Sequence, residues 1–147
     1  MNKTYVVSQP TDFSEVIDDI LFSSKTDDRP LIITLEGDLG AGKTTFTQEL
    51  GKKLGVAEPI TSPTFTIMKQ YPLSSDLADS LVHIDAYRIE SEEEIAPLHL
   101  EGLFVKAKTI ICIEWPNHIT SIIPSDAVKV SISIKEKEER LVELSQP

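Results

Sequence analysis

Apolar residues recur along this chain with two alternating periods. Tyr5-Val6-Val7 predicts a short edge strand, and Phe13, Val16, Ile17, Ile20 and Leu21 then follow at i, i+3, i+4, i+7 and i+8, the stripe of an amphipathic helix capped by Thr11 or Asp12. The turn signal Thr26-Asp27-Asp28-Arg29-Pro30 closes that unit. Leu31-Ile32-Ile33-Thr34-Leu35 is a near-continuous apolar, β-branched run, which suits a strand covered on both faces, as in parallel sheets flanked by helices. Residues 37–42 break the strand with glycine. Residues 44–54 are helix-forming up to Gly55, a glycine placed to leave the helix in the left-handed conformation.

Residues 65–71 and 81–85 predict two further strands joined by a polar connection over 72–80, a separation that suggests an antiparallel hairpin with a loose tip. Ser91, with Glu94 three residues on, has the spacing of a capping box at a helix start. Thr109-Ile110-Ile111-Cys112-Ile113 is a second fully apolar strand and ends at Glu114. Residues 127–134 and 140–144 predict a C-terminal hairpin around 135–139. Buried strands alternating with helices predict a three-layer α/β fold with a mainly parallel central sheet and antiparallel edge strands. At 147 residues the chain is expected to form a single domain, 1–147.

Composition refines this picture. With 40% hydrophobic and 26% charged residues the chain lies away from the disordered class. Its formal net charge of −10, with no Lys/Arg run longer than Lys52-Lys53, repels phosphate backbones and anionic membranes, so tight direct binding to RNA or DNA is not expected. The longest apolar runs, 31–35 and 109–113, fall far short of the roughly 20 residues that span a bilayer, so no membrane association is expected. The first residues carry no apolar segment followed by a small-residue cleavage site, so no secretory signal is expected. Cys112 is the sole cysteine, inside an apolar run, where a small buried core residue is the expected role; a cytoplasmic protein is the simplest reading.

The candidate chemistry begins at Gly37-Asp38-Leu39-Gly40-Ala41-Gly42-Lys43-Thr44, a full match to G-x-x-x-x-G-K-[ST] in the context the motif demands, an apolar strand before it and a helix after. The glycines let successive amides point inward at phosphate oxygens, and the helix N-terminus adds partial positive charge. This reading assigns ATP and Mg²⁺ as ligands: Lys43 reaches the β- and γ-phosphates, the Thr44 hydroxyl ligates Mg²⁺ and Thr45 approaches the α-phosphate. The fold class becomes a three-layer, P-loop NTPase-like domain. Phosphoryl transfer also needs carboxylates at strand ends, and Asp85 and Glu114 each terminate an apolar run, as candidate catalytic groups or as a turn cap and a solvated strand end, respectively. His83 alternates with Asp85 and so leaves the strand on the same face, where it either orients Asp85 or serves the core. Arg88 reads as an internal arginine finger or as an ion-pair partner of the acidic segment that follows it. Trp115 packs on the base, shields the metal or fills the core. Ser62-Pro63-Thr64 is a switch-like segment or a plain turn.

Taken in order, Gly37-Asp38-Leu39-Gly40-Ala41-Gly42-Lys43-Thr44-Thr45-Phe46, Ser62-Pro63-Thr64-Phe65-Thr66, His83-Ile84-Asp85-Ala86-Tyr87-Arg88 and Glu114-Trp115-Pro116 together resemble the bacterial TsaE (YjeE) family. The resemblance implies an ATPase supporting formation of threonylcarbamoyladenosine beside the tRNA anticodon, acting with the TsaB–TsaD complex and touching tRNA only through it. It also implies Thr44 and Glu114 as magnesium ligands, Asp85 as needed for hydrolysis, and Arg140 near the nucleotide. Two departures stand out. Relatives often carry a Thr approaching the nucleotide near the N-terminus, where this chain has Phe13 in Pro10-Thr11-Asp12-Phe13, and Leu98-His99-Leu100-Glu101-Gly102-Leu103-Phe104 lacks the family's usual Gly-Ile/Leu-x-x-Tyr/Phe form. Two other function classes use the same loop: a nucleotide-gated binding module with negligible turnover, and a small-molecule kinase. The kinase needs a lid bearing arginines, and the chain has only Arg29, Arg88 and Arg140.

Overall fold

The two fully apolar runs become the centre of one sheet. In the computed structural model, which describes residues 2–61, 67–136 and 138–147, β2 (Leu31–Glu36) and β5 (Thr109–Glu114) lie parallel, with Ile33 opposite Cys112 and Leu35 opposite Glu114. Among the described residues the sheet has seven strands in the order β1-β7-β6-β2-β5-β4-β3. The inner four, β6 (Val128–Glu136), β2, β5 and β4 (Ser80–Asp85), are mutually parallel. The outer strands β3 (Met68–Pro72), β7 (Glu139–Ser145) and β1 (Asn2–Val7) pair antiparallel with their neighbours. Parallel centre and antiparallel edges thus follow the expectation from sequence.

Because side chains alternate across a strand, β2 and β5 feed two separate cores. Ile33, Leu35, Ile110 and Cys112 face the amphipathic α1 (Phe13–Phe22) and α2 (Lys43–Lys53), packing against Phe13, Ile17, Ile20, Phe46 and Leu50. Each large side chain buried this way contributes roughly 1.5–3 kcal/mol relative to exposure. Ile32, Ile111 and Ile113 face the opposite side, where Ile89, Ile95, Leu100, Phe104 and Ile119 cover them. That second cover differs from the expected helical layer. It consists of 3-10 turns and the single-turn α3 (Leu100–Leu103), because Pro97, Gly102 and a left-handed His99 interrupt any longer helix. The expected capping box survives in part, as the Glu94 carboxylate accepts the Ser91 amide at 2.9 Å over a 3-10 turn.

Local signals explain where the elements stop. Asp12 sits at the start of α1, but its carboxylate turns back to the amides of Ser8 and Gln9, which holds it below the usual carboxylate range and ties the end of β1 to the helix. Gly55 adopts φ +79 as expected, and the Val56 amide reaches Gly51 O at 2.9 Å while the Gly55 amide reaches Lys52 O, closing α2 with a Schellman pair. The β3–β4 tip is not loose. The Asp79 amide donates to Lys108 O at 2.8 Å, the Thr26 hydroxyl donates to Leu77 O, and Ala78 is buried. Residues 62–66, which contain Ser62-Pro63-Thr64 and the start of the strand expected over 65–71, lie outside the described residues. No helix among the described residues is long and apolar enough to cross a membrane.

Candidate active site

Three elements converge at the carboxyl end of the central strands. β2 stops at Glu36 and the chain bends through residues 37–42 into α2. Gly40 and Gly42 take φ +81 and +117, values that strain any side-chain-bearing residue, so the bend depends on glycine there. The Ala41 amide donates to Asp38 O at 3.0 Å and closes the turn. By helix geometry, the first amides of α2 have no acceptor within the helix and point toward the bend. Donors and dipole together make a cradle for anionic oxygens.

Lys43, the first residue of α2, is 5% exposed. Its Nζ donates to Gly37 O and lies 3.6 Å from the centroid of the Trp115 ring. Burial pulls its ammonium below the ordinary lysine value, countered in part by the negative charges of Glu114, Asp85 and Asp38. Trp115 takes φ +59 immediately after β5, which swings its ring back over the loop. The Tyr87 ring lies 5.0 Å from it and the His118 ring 6.0 Å.

The carboxylates come from adjacent strand ends. Asp85 and Glu114 are register partners in the β4–β5 ladder. The Thr44 hydroxyl donates to Glu114 Oε2 at 3.0 Å, so α2 and β5 are joined through one carboxylate oxygen. The Asp85 Oδ1 accepts the Tyr87 amide at 3.0 Å, which fixes that side chain at the strand end. Leu39, Lys43, Thr44, Asp85, Glu114 and Trp115 help to line a cavity of about 280 Å³, together with Gly40, Gly42, Thr45 and Tyr87. A hard divalent cation fits this donor set. Mg²⁺ takes one or two protein oxygens and completes its shell with phosphate oxygens and water, and no group of three His, Cys, Asp or Glu side chains suited to a metal occurs among the described residues.

A second cavity, about 260 Å³, lies on the other side of the same loop, between Phe13, Thr45 and Arg140. Arg140 reaches it from β7, and its Nε donates to Ala41 O at 3.1 Å and its Nη2 to Gly40 O at 3.4 Å. A further cavity at the opposite end of the sheet, about 240 Å³, holds Arg29 already paired with Asp126 and has no glycine loop.

The structure therefore gathers Asp85, Glu114, Lys43, Thr44, Thr45 and Trp115 around one cavity, with Arg140 hydrogen-bonded to two carbonyls of the loop. Arg88 is exposed and does not line that cavity. His83 is placed differently from the expectation that it orients Asp85: its Nε2 contacts Glu114 Oε2 at 2.5 Å. Phe13, at the position where relatives often carry a Thr, lies beside Gly42 of the loop. The packing of Tyr87 on Trp115 joins segments far apart in sequence, for which no local pattern gives a signal. Cys112 is fully buried as expected, and burial pushes its thiol up to about 12.

Comparison with known proteins adds a family. The model described as "Threonylcarbamoyl adenosine biosynthesis protein TsaE" matches residues 8–142. A Bacillus subtilis protein described as tRNA threonylcarbamoyladenosine biosynthesis protein TsaE is 39% identical over 109 residues, covering 74% of this chain. The match spans 65% of that relative, just under two thirds of its length. A Nostoc protein of the same description is 38% identical over 117 residues, covering 78% of this chain and 69% of its own length. Among solved structures, the crystal structure of Bacillus subtilis YdiB superposes with a TM-score of 0.73 at 27% identity, covering 99% of this chain and 86% of that one.

Proposed function

Since the chain belongs to the TsaE family, whose role is tRNA threonylcarbamoyladenosine biosynthesis, we propose that it is an ATP-binding protein and Mg²⁺-dependent ATP hydrolase of low basal rate that supports this modification without itself transferring the group. The observation that carries the proposal is the Thr44–Glu114 hydrogen bond at the N-terminus of α2, beside the Lys43 ammonium. A hydroxyl, a carboxylate, a cation and a row of amides within one cavity form the donor set for a magnesium–triphosphate. On this reading the fold is a P-loop NTPase-like domain, with its ligand beyond the carboxyl ends of the parallel strands.

The loop amides bind phosphate oxygens, and Lys43 exchanges Gly37 O for the β- and γ-phosphates. Thr44 and Glu114 would hold Mg²⁺, which would supply positive charge against the phosphate oxygens. Asp85, fixed beside Glu114 in the β4–β5 register, orients the attacking water. Arg140 keeps two loop carbonyls turned outward, so that the amides face the ligand, and the cavity it shares with Phe13 receives the adenosine end of the nucleotide.

Family membership carries the partner reading: the chain is assigned to act in the cytoplasm by docking on a TsaB–TsaD complex, and its net charge of −10, which disfavours direct contact with tRNA, agrees with that indirect role. Two measurements test the proposal together: calorimetry of the chain with ATP and Mg²⁺, and phosphate release with and without that complex. Heat of binding and a hydrolysis rate raised by the complex are expected. Absence of binding refutes the proposal, and binding without turnover under both conditions makes the chain a nucleotide-gated module instead.

A further inference from the structure

His83 is the only histidine with a fully buried side chain among the described residues, and it lies in β4 between Val82 and Ile84. An imidazole in such a place needs partners, because a polar group removed from water without hydrogen bonds destabilises the fold. One partner is present: Nε2 contacts Glu114 Oε2 at 2.5 Å. The other ring nitrogen, Nδ1, is buried with no partner among the described residues. A carboxylate only accepts, so Nε2 carries the proton of this bond. A purely structural site would favour an apolar residue here, which would avoid burying Nδ1 at all. The contact with Glu114 is what distinguishes this position.

We infer that His83 is a positioning residue, acting through Glu114 on the metal-nucleotide site; this rests on the function proposed above. Two donors fix the same carboxylate oxygen, His83 from β4 and Thr44 from α2. Glu114 is 4% exposed, so bulk water competes little for that oxygen. With Oε2 held by two donors, rotation of the carboxylate is restrained and Oε1 keeps a preferred direction. When the Thr44 hydroxyl turns to a metal, His83 remains as the donor that holds Glu114 in place. Groups hydrogen-bonded behind a metal ligand commonly alter metal affinity or activity by about 10–100-fold when removed.

The test compares two substitutions of similar polarity. His83→Gln places an amide donor near the Nε2 position and keeps the bond to Glu114; His83→Asn places its donor near Nδ1 and loses that bond. The Asn variant is expected to need about 10-fold or more Mg²⁺ for half-maximal nucleotide binding by calorimetry and to show a lower kcat, with affinity for ATP in EDTA unchanged. The Gln variant is expected to stay within about threefold of the natural chain in all three. Equal behaviour of Gln and Asn overturns the inference, as does a loss of ATP affinity in EDTA that matches the loss with Mg²⁺. If neither variant folds, ¹⁵N-histidine NMR of the natural chain decides. The Nε2 signal is expected to show a proton held in a hydrogen bond and to shift when Mg²⁺ is added to the ATP complex, and an Nε2 signal blind to Mg²⁺ overturns the inference. Failure of the natural chain to bind ATP at all refutes the proposed function, whereas normal binding with an indifferent His83 refutes only this inference.

Discussion

Replacing Lys43 by Met separates the function of that lysine from its contribution to the fold. In a triphosphate complex the ammonium makes charge-assisted bonds to the β- and γ-phosphates, each worth about 1.5–3 kcal/mol. Losing both removes about 3–6 kcal/mol, or roughly 10²–10⁴-fold in Kd. Without nucleotide the balance differs. Met forfeits the bond to Gly37 O and the contact with Trp115, the latter worth about 0.5–2 kcal/mol, but it escapes the burial of a charge at 5% exposure. Burial outweighs the negative charges of Glu114, Asp85 and Asp38 and holds the Lys43 pKa below its ordinary value, so on those terms the folded state disfavours the ammonium. The sign follows by linkage: the penalty is full below the folded pKa and fades as pH rises through it toward the unfolded value of 10.5. Lys43→Met is therefore expected to melt at the same or a higher temperature than the natural chain at neutral pH while losing ATP binding. Calorimetry with ATP and Mg²⁺ and a thermal melt of the ligand-free protein measure the two effects. Affinity within threefold of the natural chain, or a melting temperature more than about 4 °C lower (over 1 kcal/mol at this chain length), refutes the reasoning.

Arg140→Ala removes the grip on Ala41 O and Gly40 O and is expected to weaken ATP binding about 10–100-fold by calorimetry; an unchanged Kd means the loop holds its shape unaided. In Gly37→Ala, the added methyl would sit 2.5 Å from the carbonyl oxygen of Ile132 in β6, too close without a backbone shift. Urea denaturation is expected to register a loss of about 1–3 kcal/mol, and an unaltered midpoint contradicts the packing described. Cys112 is expected to resist iodoacetamide at pH 8 until the chain is unfolded in urea. Because its folded pKa of about 12 exceeds the unfolded value of 9.0, Cys112 lowers stability as pH climbs from 9 toward 12, by up to about 1.4 kcal/mol per pH unit; rapid native-state alkylation refutes its burial.

Much of the site was legible because it rests on local rules. The run 31–35, the glycine loop and the helix after it sit in consecutive sequence, and Asp85 and Glu114 mark the ends of apolar runs that become neighbouring strands. What could not be read depended on registers between distant segments. His83 and Asp85 share a face by alternation alone, but only the parallel alignment of β4 with β5 brings His83 under Glu114 rather than leaving it to serve Asp85. Arg140 reaches the loop only because the β6–β7 hairpin returns alongside β2. The second covering layer departs from the expected helical one for a local reason. Ile89, Ile95 and Leu100 recur without a 3.6-residue period, since 3-10 turns and one single-turn helix bring the cover to the sheet.

The ring over Lys43 has a practical consequence. Trp115 is the only indole in the chain, so ultraviolet emission excited near 295 nm arises from one spot, 3.6 Å from the ammonium that ATP is proposed to recruit. Any ligand that draws Lys43 off that ring alters the colour or brightness of the whole molecule, and the natural chain carries its own optical gauge of the phosphate loop without an added dye.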